Sequence, residues 1–375
     1  MKKIIAVDFY DIIWMHDGLF TLADMDALFA KYAEHGVTGV LWRLSACGNL
    51  LYHSKTAERF DRRASASTQL ISKKTLAVME AYDPAEAAVA AGKKFGIAVY
   101  FWLTLFDEAG YSSIPDFLSP FCEAHPEYSW RSRDGKSSYY GVLSYTYPEV
   151  IEYRLNQIRE ISAYGGDGLY LCNRSHSRSP PIRQEMRRIE ELGSEKSYEW
   201  CRTHGELIEA EFKRCRGEYG FDPIALESYH GDLNDAVAWQ RYRGSYFTRF
   251  MEKARANTPG LLALGLRYGA NLGPYIYGDH FFDWERFTGG TVTDAVAYDL
   301  QPPNYDREED FPEFYRPTSS QKWLWMSLSA TGPEQLLAAY RESLDRWCPH
   351  MDGIILFEAF KMTENQPYWN FIKEW

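Results

Sequence analysis

Four short runs in this chain share one grammar: a threonine or aspartate, a small residue, then an apolar stretch. They read Thr38-Gly39-Val40-Leu41-Trp42, Asp167-Gly168-Leu169-Tyr170-Leu171, Asp294-Ala295-Val296-Ala297-Tyr298 and Asp352-Gly353-Ile354-Ile355-Leu356. An unbroken apolar run after such a corner is the pattern of a parallel strand buried on both faces. Most of the four follow a stretch with helical periodicity, so the repeating unit is helix, corner, strand. The corner marks where a strand enters the sheet, and the polar residue or tryptophan at the far end marks where it leaves.

The same pattern places strands at 3–8, 38–43, 97–104, 167–172, 261–267, 293–299, 322–328 and 352–357. Helix signals lie between them. Thr21 caps a segment with Leu22, Met25, Leu28, Phe29 and Tyr32 on one face, ended by Gly36. Asp83-Pro84-Ala85-Glu86 supplies a cap, a first-turn proline and an early acid, with Gly96 as the stop. Pro148 and Pro333 open two more helices. Eight strands with intervening helices predict a single (β/α)8 barrel spanning 1–375. No Gly-x-Gly-x-x-Gly follows the first strand, so a dinucleotide-binding sheet has no support.

In such a barrel the chemistry belongs at the strand exits, and the entrances serve stability. Three long connections, near 45–83, 107–147 and 174–240, all leave from exits and predict the walls of a cleft. The second contains a hairpin signal over Tyr128–Lys136, turning at Asp134-Gly135. The third carries a charge-rich part, Arg183 to Glu195, expected to cover one wall.

Charge narrows the partners. A formal charge of −11 argues against nucleic acid or an anionic membrane surface, and a neutral small molecule fits better. Six scattered cysteines without a Cys-x-x-Cys predict free thiols. The start, Met1-Lys2-Lys3-Ile4-Ile5, imitates a signal peptide until Asp8 interrupts it, so a cytoplasmic location is the expectation.

One region resembles a known family. Glu123-Ala124-His125-Pro126-Glu127-Tyr128, Asp134-Gly135, Leu143-Ser144-Tyr145-Thr146-Tyr147-Pro148-Glu149-Val150 and Tyr164-Gly165-Gly166-Asp167-Gly168-Leu169-Tyr170-Leu171 together resemble the bacterial glycosyl-hydrolase-like TIM-barrel proteins. Leu51-Tyr52-His53-Ser54-Lys55 and Trp239-Gln240-Arg241-Tyr242-Arg243 are similar to pieces of the same group. The resemblance implies a carbohydrate cleft. It also implies an acid at the end of the fourth strand, where this chain has Cys172, followed by Asn173 and Arg174.

The candidate residues follow from the exits. Asp167, Asp294 and Asp352 stand at entrances and are assigned to turns or backbone capping. Glycoside hydrolysis needs two carboxyl groups across the scissile bond. The exits offer Asp299 and Glu358, and these are the predicted catalytic pair. The alternative for Glu358 is a buried ion pair with Arg267 or Arg43, and for Asp299 a cap on the loop before Gln301-Pro302-Pro303. Asp8 is open to a salt bridge at the barrel mouth, while Asp107 and Glu108 are assigned to solvent. Sugar rings offer apolar C–H faces to aromatic side chains while polar neighbours hold the hydroxyls. The predicted ligand-binding set is therefore Trp42, Arg43, His53, Trp102, Asn173, Arg174, Arg267 and Tyr298. Trp14 and Trp130 are placed in loops on the same side. No histidine pattern of a dedicated metal site is present, so neither metal nor cofactor is expected, and Cys172 reads as a buried small residue rather than a nucleophile. The alternatives are a non-catalytic carbohydrate-binding barrel and a metal-assisted sugar-processing enzyme.

Overall fold

The computed structural model describes residues 1–46, 48–57, 69–108, 118–132, 138–172, 219–221, 223–232, 236–266, 284–299, 308, 312–329, 332–363 and 365–375. Eight parallel strands close into a barrel: β1 (Lys2–Val7), β2 (Gly39–Arg43), β3 (Ala98–Thr104), β4 (Gly168–Cys172), β5 (Leu261–Leu266), β6 (Ala295–Asp299), β7 (Gln321–Ser327) and β8 (Gly353–Phe357). Sequence neighbours are spatial neighbours throughout, and β8 pairs with β1 to complete the ring. The eight expected strands are present, displaced at their ends by a residue or two. Asp8, for instance, leaves the ladder and becomes the residue preceding helix α1 (Phe9–Met15).

The helices follow their caps. In α2 (Leu22–Glu34), Thr21 and Asp24 form a reciprocal capping box. After α3 (Gln69–Ala81), Asp83 caps α4 (Pro84–Phe95) by accepting from the Ala85 amide, and Gly96 ends it with a left-handed φ of 69°. The remaining long helices are α5 (Pro148–Ala163), α6 (Ala236–Ala256) and α7 (Pro333–Trp347). The four-residue helix α8 (Ala359–Met362) sits directly past β8. Among the described residues, no helix is long and apolar enough to cross a membrane.

The strand entrances form a ring of identical joints. Thr38, Asp167, Asp294 and Asp352 each precede an even-numbered strand. Each side chain accepts from the amide of the second residue of the preceding strand: Lys3, Val99, Leu262 and Lys322, at 2.8–2.9 Å. Each backbone N–H donates to the carbonyl of that same residue at 2.8 Å. Each carbonyl accepts from the first residue of the next odd strand, and Lys2 donating to Asp352 closes the circuit. The capping role assigned to the three aspartates is what the structure shows, and Thr38 performs it as well.

Two hydrophobic layers result from strand alternation. Ile4, Leu41, Trp102, Ala297 and Trp325 point into the barrel, while Val40, Trp42, Phe101, Val296 and Tyr298 point out against the helices. The inner layer ends in an aromatic plug. The Trp325 ring lies 5.7 Å from Trp102, 5.9 Å from Tyr170 and 5.0 Å from Phe357, so the barrel is a packed core rather than a pore. Cys172 is buried in this layer.

The long connections are partly described. Ser129–Ser132 and Ser138–Leu143 pair antiparallel, as the hairpin signal predicts, with the Asp134-Gly135 turn outside the described residues. Tyr219–Phe221 adds to the same sheet, which joins the second and third connections. The charge-rich 183–195 part lies outside the described residues. One expectation is overturned: Asp107 and Glu108 are not solvated but 1% and 0% exposed. Phe106 turns the chain with a φ of 57°, packed between Tyr145 and Phe250, and this carries both acids inward. Glu108 then closes an ion pair with the fully buried Arg154 of α5, which also holds Gln157 at 2.7 Å.

Candidate active site

The exits of β1, β2 and β8 are neighbours in the barrel, and their polar residues meet. Asp8 follows β1, Arg43 ends β2, and Glu358 follows β8. Helix α1 begins at once after Asp8, so Asp11 lies one turn further on, beside α8. One oxygen from each of Asp8, Asp11 and Glu358 lies within 4.8 Å of the others. Arg43 pairs with Asp8, holds the Ser45 carbonyl through Nε at 2.7 Å and stands 4.9 Å from the Trp102 ring centre. Lys361, a turn after Glu358, places its ammonium 3.6 Å from Glu358 Oε2.

Three carboxyls thus share two cations, and the imbalance is met by a proton. Burial, then the charge of Asp8 and the hydrogen bond to Glu358, push the Asp11 carboxyl up to about 9 against the pull of Arg43. Glu358 is also raised, chiefly by burial and then by Asp8, while its bond to Asp11 and the charges of Lys361 and Arg43 oppose the rise. The two carboxyls share a hydrogen bond that raises Asp11 and lowers Glu358, so the proton between them belongs to Asp11 in the first instance. Asp8 Oδ1, Trp102 Nε1 and Thr104 Oγ1, on the same arc, are buried without a hydrogen-bond partner among the described residues.

Asp299, the last residue of β6, continues the inward alternation of Ala295 and Ala297 and is half-buried. Its charge is also felt by the Tyr340 hydroxyl of α7. Only β7 separates β6 from β8. At about 4.8 Å per strand, those two backbones stand roughly 10 Å apart.

The remaining sequence-predicted residues fall in different places. Trp102 belongs to the inner plug beneath Arg43. Trp42 points outward and is enclosed by Phe9 and Phe29, with ring centres at 4.7 and 5.8 Å, so its face is taken up by core packing. Tyr298 likewise points outward onto Phe314 at 5.2 Å. His53 lies on the flank, where Nε2 donates to the Met79 carbonyl at 2.6 Å. There it lines a cleft of about 220 Å³ with Tyr52, Lys55, Glu160 and Tyr164, away from the carboxyl cluster. Asn173, Arg174 and Arg267 lie outside the described residues. Arg43 neutralises Asp8 rather than Glu358, which is met by Lys361. Sequence reasoning did not single out Asp11 or Lys361. The usable signal was spacing: each lies three residues past an exit acid, one helical turn away.

The comparisons agree on architecture. No family model and no curated protein matches the chain. Among solved structures, the catalytic domain of a β-amylase from Paenibacillus polymyxa is similar at a TM-score of 0.56 and 10% identity, covering 100% of this chain and 98% of that one. The α-L-fucosidase isoenzyme 2 from Paenibacillus thiaminolyticus is similar at 0.53 and 13% identity, with 100% of this chain covered. The chain spans about half the length of that fucosidase, 48%. At such identities the likeness is one of fold: a (β/α)8 barrel of the kind found in glycoside hydrolases.

Proposed function

We propose that this barrel hydrolyses a glycosidic bond in an oligo- or polysaccharide, with Glu358 as proton donor and Asp299 as the second carboxylate. The observation that carries the reading is the approach of the half-buried Asp11 carboxyl to the buried Glu358 carboxyl beside the barrel mouth, where burial raises the pKa of both, that of Asp11 to about 9. Such a group can protonate a leaving oxygen where an ordinary glutamate would already be ionised. Asp11 is too close to Glu358 to sit across a sugar from it, so it serves to hold the proton. Asp299, two strands along, suits the complementary role of base. With roughly 10 Å between the backbones there is room for the bond and an attacking water. Glu358 then gives its proton to the departing oxygen while Asp299 accepts one from the water, and the pair is restored from solvent.

A screen of aryl-glycosides and oligosaccharides, run in parallel with Glu358→Gln, tests this. Turnover that persists in the variant removes Glu358 from the chemistry. The close grouping of Asp8, Asp11 and Glu358 favours one alternative, a metal-assisted sugar-processing barrel. Elemental analysis of protein purified without chelator separates the two, because a stoichiometric divalent ion would take the place of the shared proton.

A further inference from the structure

Helix α1 carries an unusual residue on its outer side. Trp14 is 44% exposed, and among the described residues its indole enters no aromatic, cation or hydrogen-bond contact. Its backbone is nevertheless held in place: Lys74 of α3 donates to the Trp14 carbonyl at 3.0 Å and to the His16 carbonyl at 2.5 Å. The helix buries Phe9, Ile12 and Ile13, so Asp11 and Trp14 share the opposite side. Three residues apart on a helix, their Cβ atoms are about 5–6 Å from each other. Met15 and Leu19, next along the chain, are also exposed, at 64% and 44%.

We propose that Trp14 is a stacking platform for a sugar unit next to the one attacked, so that the ligand is an oligosaccharide chain rather than a single glycoside. This rests on the hydrolase reading for the location of the reacting bond, but the binding claim is separable from it. The geometry has a simple logic. Asp11 turns toward Glu358 and marks the reacting position, and Trp14 lies one turn further from it on a fixed backbone. A pyranose seated there lays its C–H face on the indole, while its hydroxyls stay in water. The indole face of Trp14, free of ring and cation contacts among the described residues, is available to the C–H face of a sugar. The unit bound there has no reacting bond of its own, so its contribution is to affinity and register.

The test uses the full chain in a Glu358→Gln background, which holds ligand without consuming it. Cello-, malto- and chito-oligosaccharides of two to six units are titrated while tryptophan fluorescence is followed, with and without a second change, Trp14→Phe. The expected result is a saturable change with at least one series, growing with chain length and missing its main amplitude in Trp14→Phe. In the Glu358-intact enzyme, Trp14→Ala is expected to raise KM for the longer chains by about tenfold, with a much smaller effect on kcat. Superimposable titrations with and without Trp14, or no saturable change in any series, overturn the proposal. So does Trp14-dependent self-association in sedimentation velocity, which would mean that a second copy covers the indole. Turnover surviving in Glu358→Gln would defeat the hydrolase reading instead, and leave the binding result readable by itself.

Discussion

Arg43 pairs with Asp8 across the seam between β2 and β1 while its guanidinium lies over the Trp102 ring. The pairing fixes a positive charge beside the carboxyl groups that keep the proton, and Arg43 lowers the affinity of both Asp11 and Glu358 for it. Replacing Arg43 with Met removes that pull, so both pKa values rise. A donor must be protonated to act, and the activity of a hydrolase here falls as pH climbs through the donor's pKa. Arg43→Met is therefore expected to move the alkaline limb of the kcat/KM profile to higher pH, measured on whichever substrate the screen identifies. A shift to lower pH would contradict the arrangement.

Asp11 makes a prediction about stability. Its pKa is raised by folding, from the ordinary aspartate range to about 9. The folded chain then binds more protons than the unfolded one between about pH 4 and 9, and its stability falls as pH rises through that window. The stabilising contribution is intact below the unfolded pKa and lost above the folded one. Asp11→Asn, which never ionises, is expected to melt higher than the parent at pH 8, by at least about 2 °C. The two should converge toward pH 4. Thermal unfolding at a series of pH values reads this directly.

The Glu108–Arg154 pair is fully buried, so its halves cannot be removed separately at low cost. Glu108→Leu leaves a guanidinium inside the protein, with Asp107 as the other nearby acid raising its pKa. It should destabilise by about 3–5 kcal/mol. Changing both residues to leucine should recover much of that loss. A double-mutant cycle in urea gives the numbers, and equal losses in the single and double variants would argue against a specific pairing.

The entrance joints can be opened one at a time. Asp167→Ala leaves the Val99 amide without its side-chain acceptor. The expected cost is about 1–2 kcal/mol in urea unfolding, from one charge-assisted hydrogen bond. Asp352→Ala, acting on Lys322, should cost a similar amount, and the two should add because they clamp different strands.

Much of the barrel was legible because each strand announces both ends. The corner residues are the visible half of a hydrogen-bonded joint, so their recurrence reports the topology itself. Alternation was the underused signal. Leu41 and Arg43 point into the barrel, which sends Trp42 outward, and the same count separates Asp299 from Tyr298. Both outward aromatics were therefore open to assignment from sequence. Asp107 and Glu108 were not, because their burial depends on Phe106 adopting a left-handed turn and on an arginine some fifty positions away. The Asp11–Glu358 pair was equally hidden, since it joins the first exit to the last and exists only once β8 closes against β1.

That circuit of joints at the base also divides labour between the two rims. Each Thr38-type residue grips the strand before it and the strand after it, so sliding one stave would break bonds on both sides. Shear is thereby set at one end of the cylinder, by four residues at the strand entrances. The opposite rim is released from that duty, and insertions there can lengthen, trade residues or acquire new ligands without altering the frame that carries them.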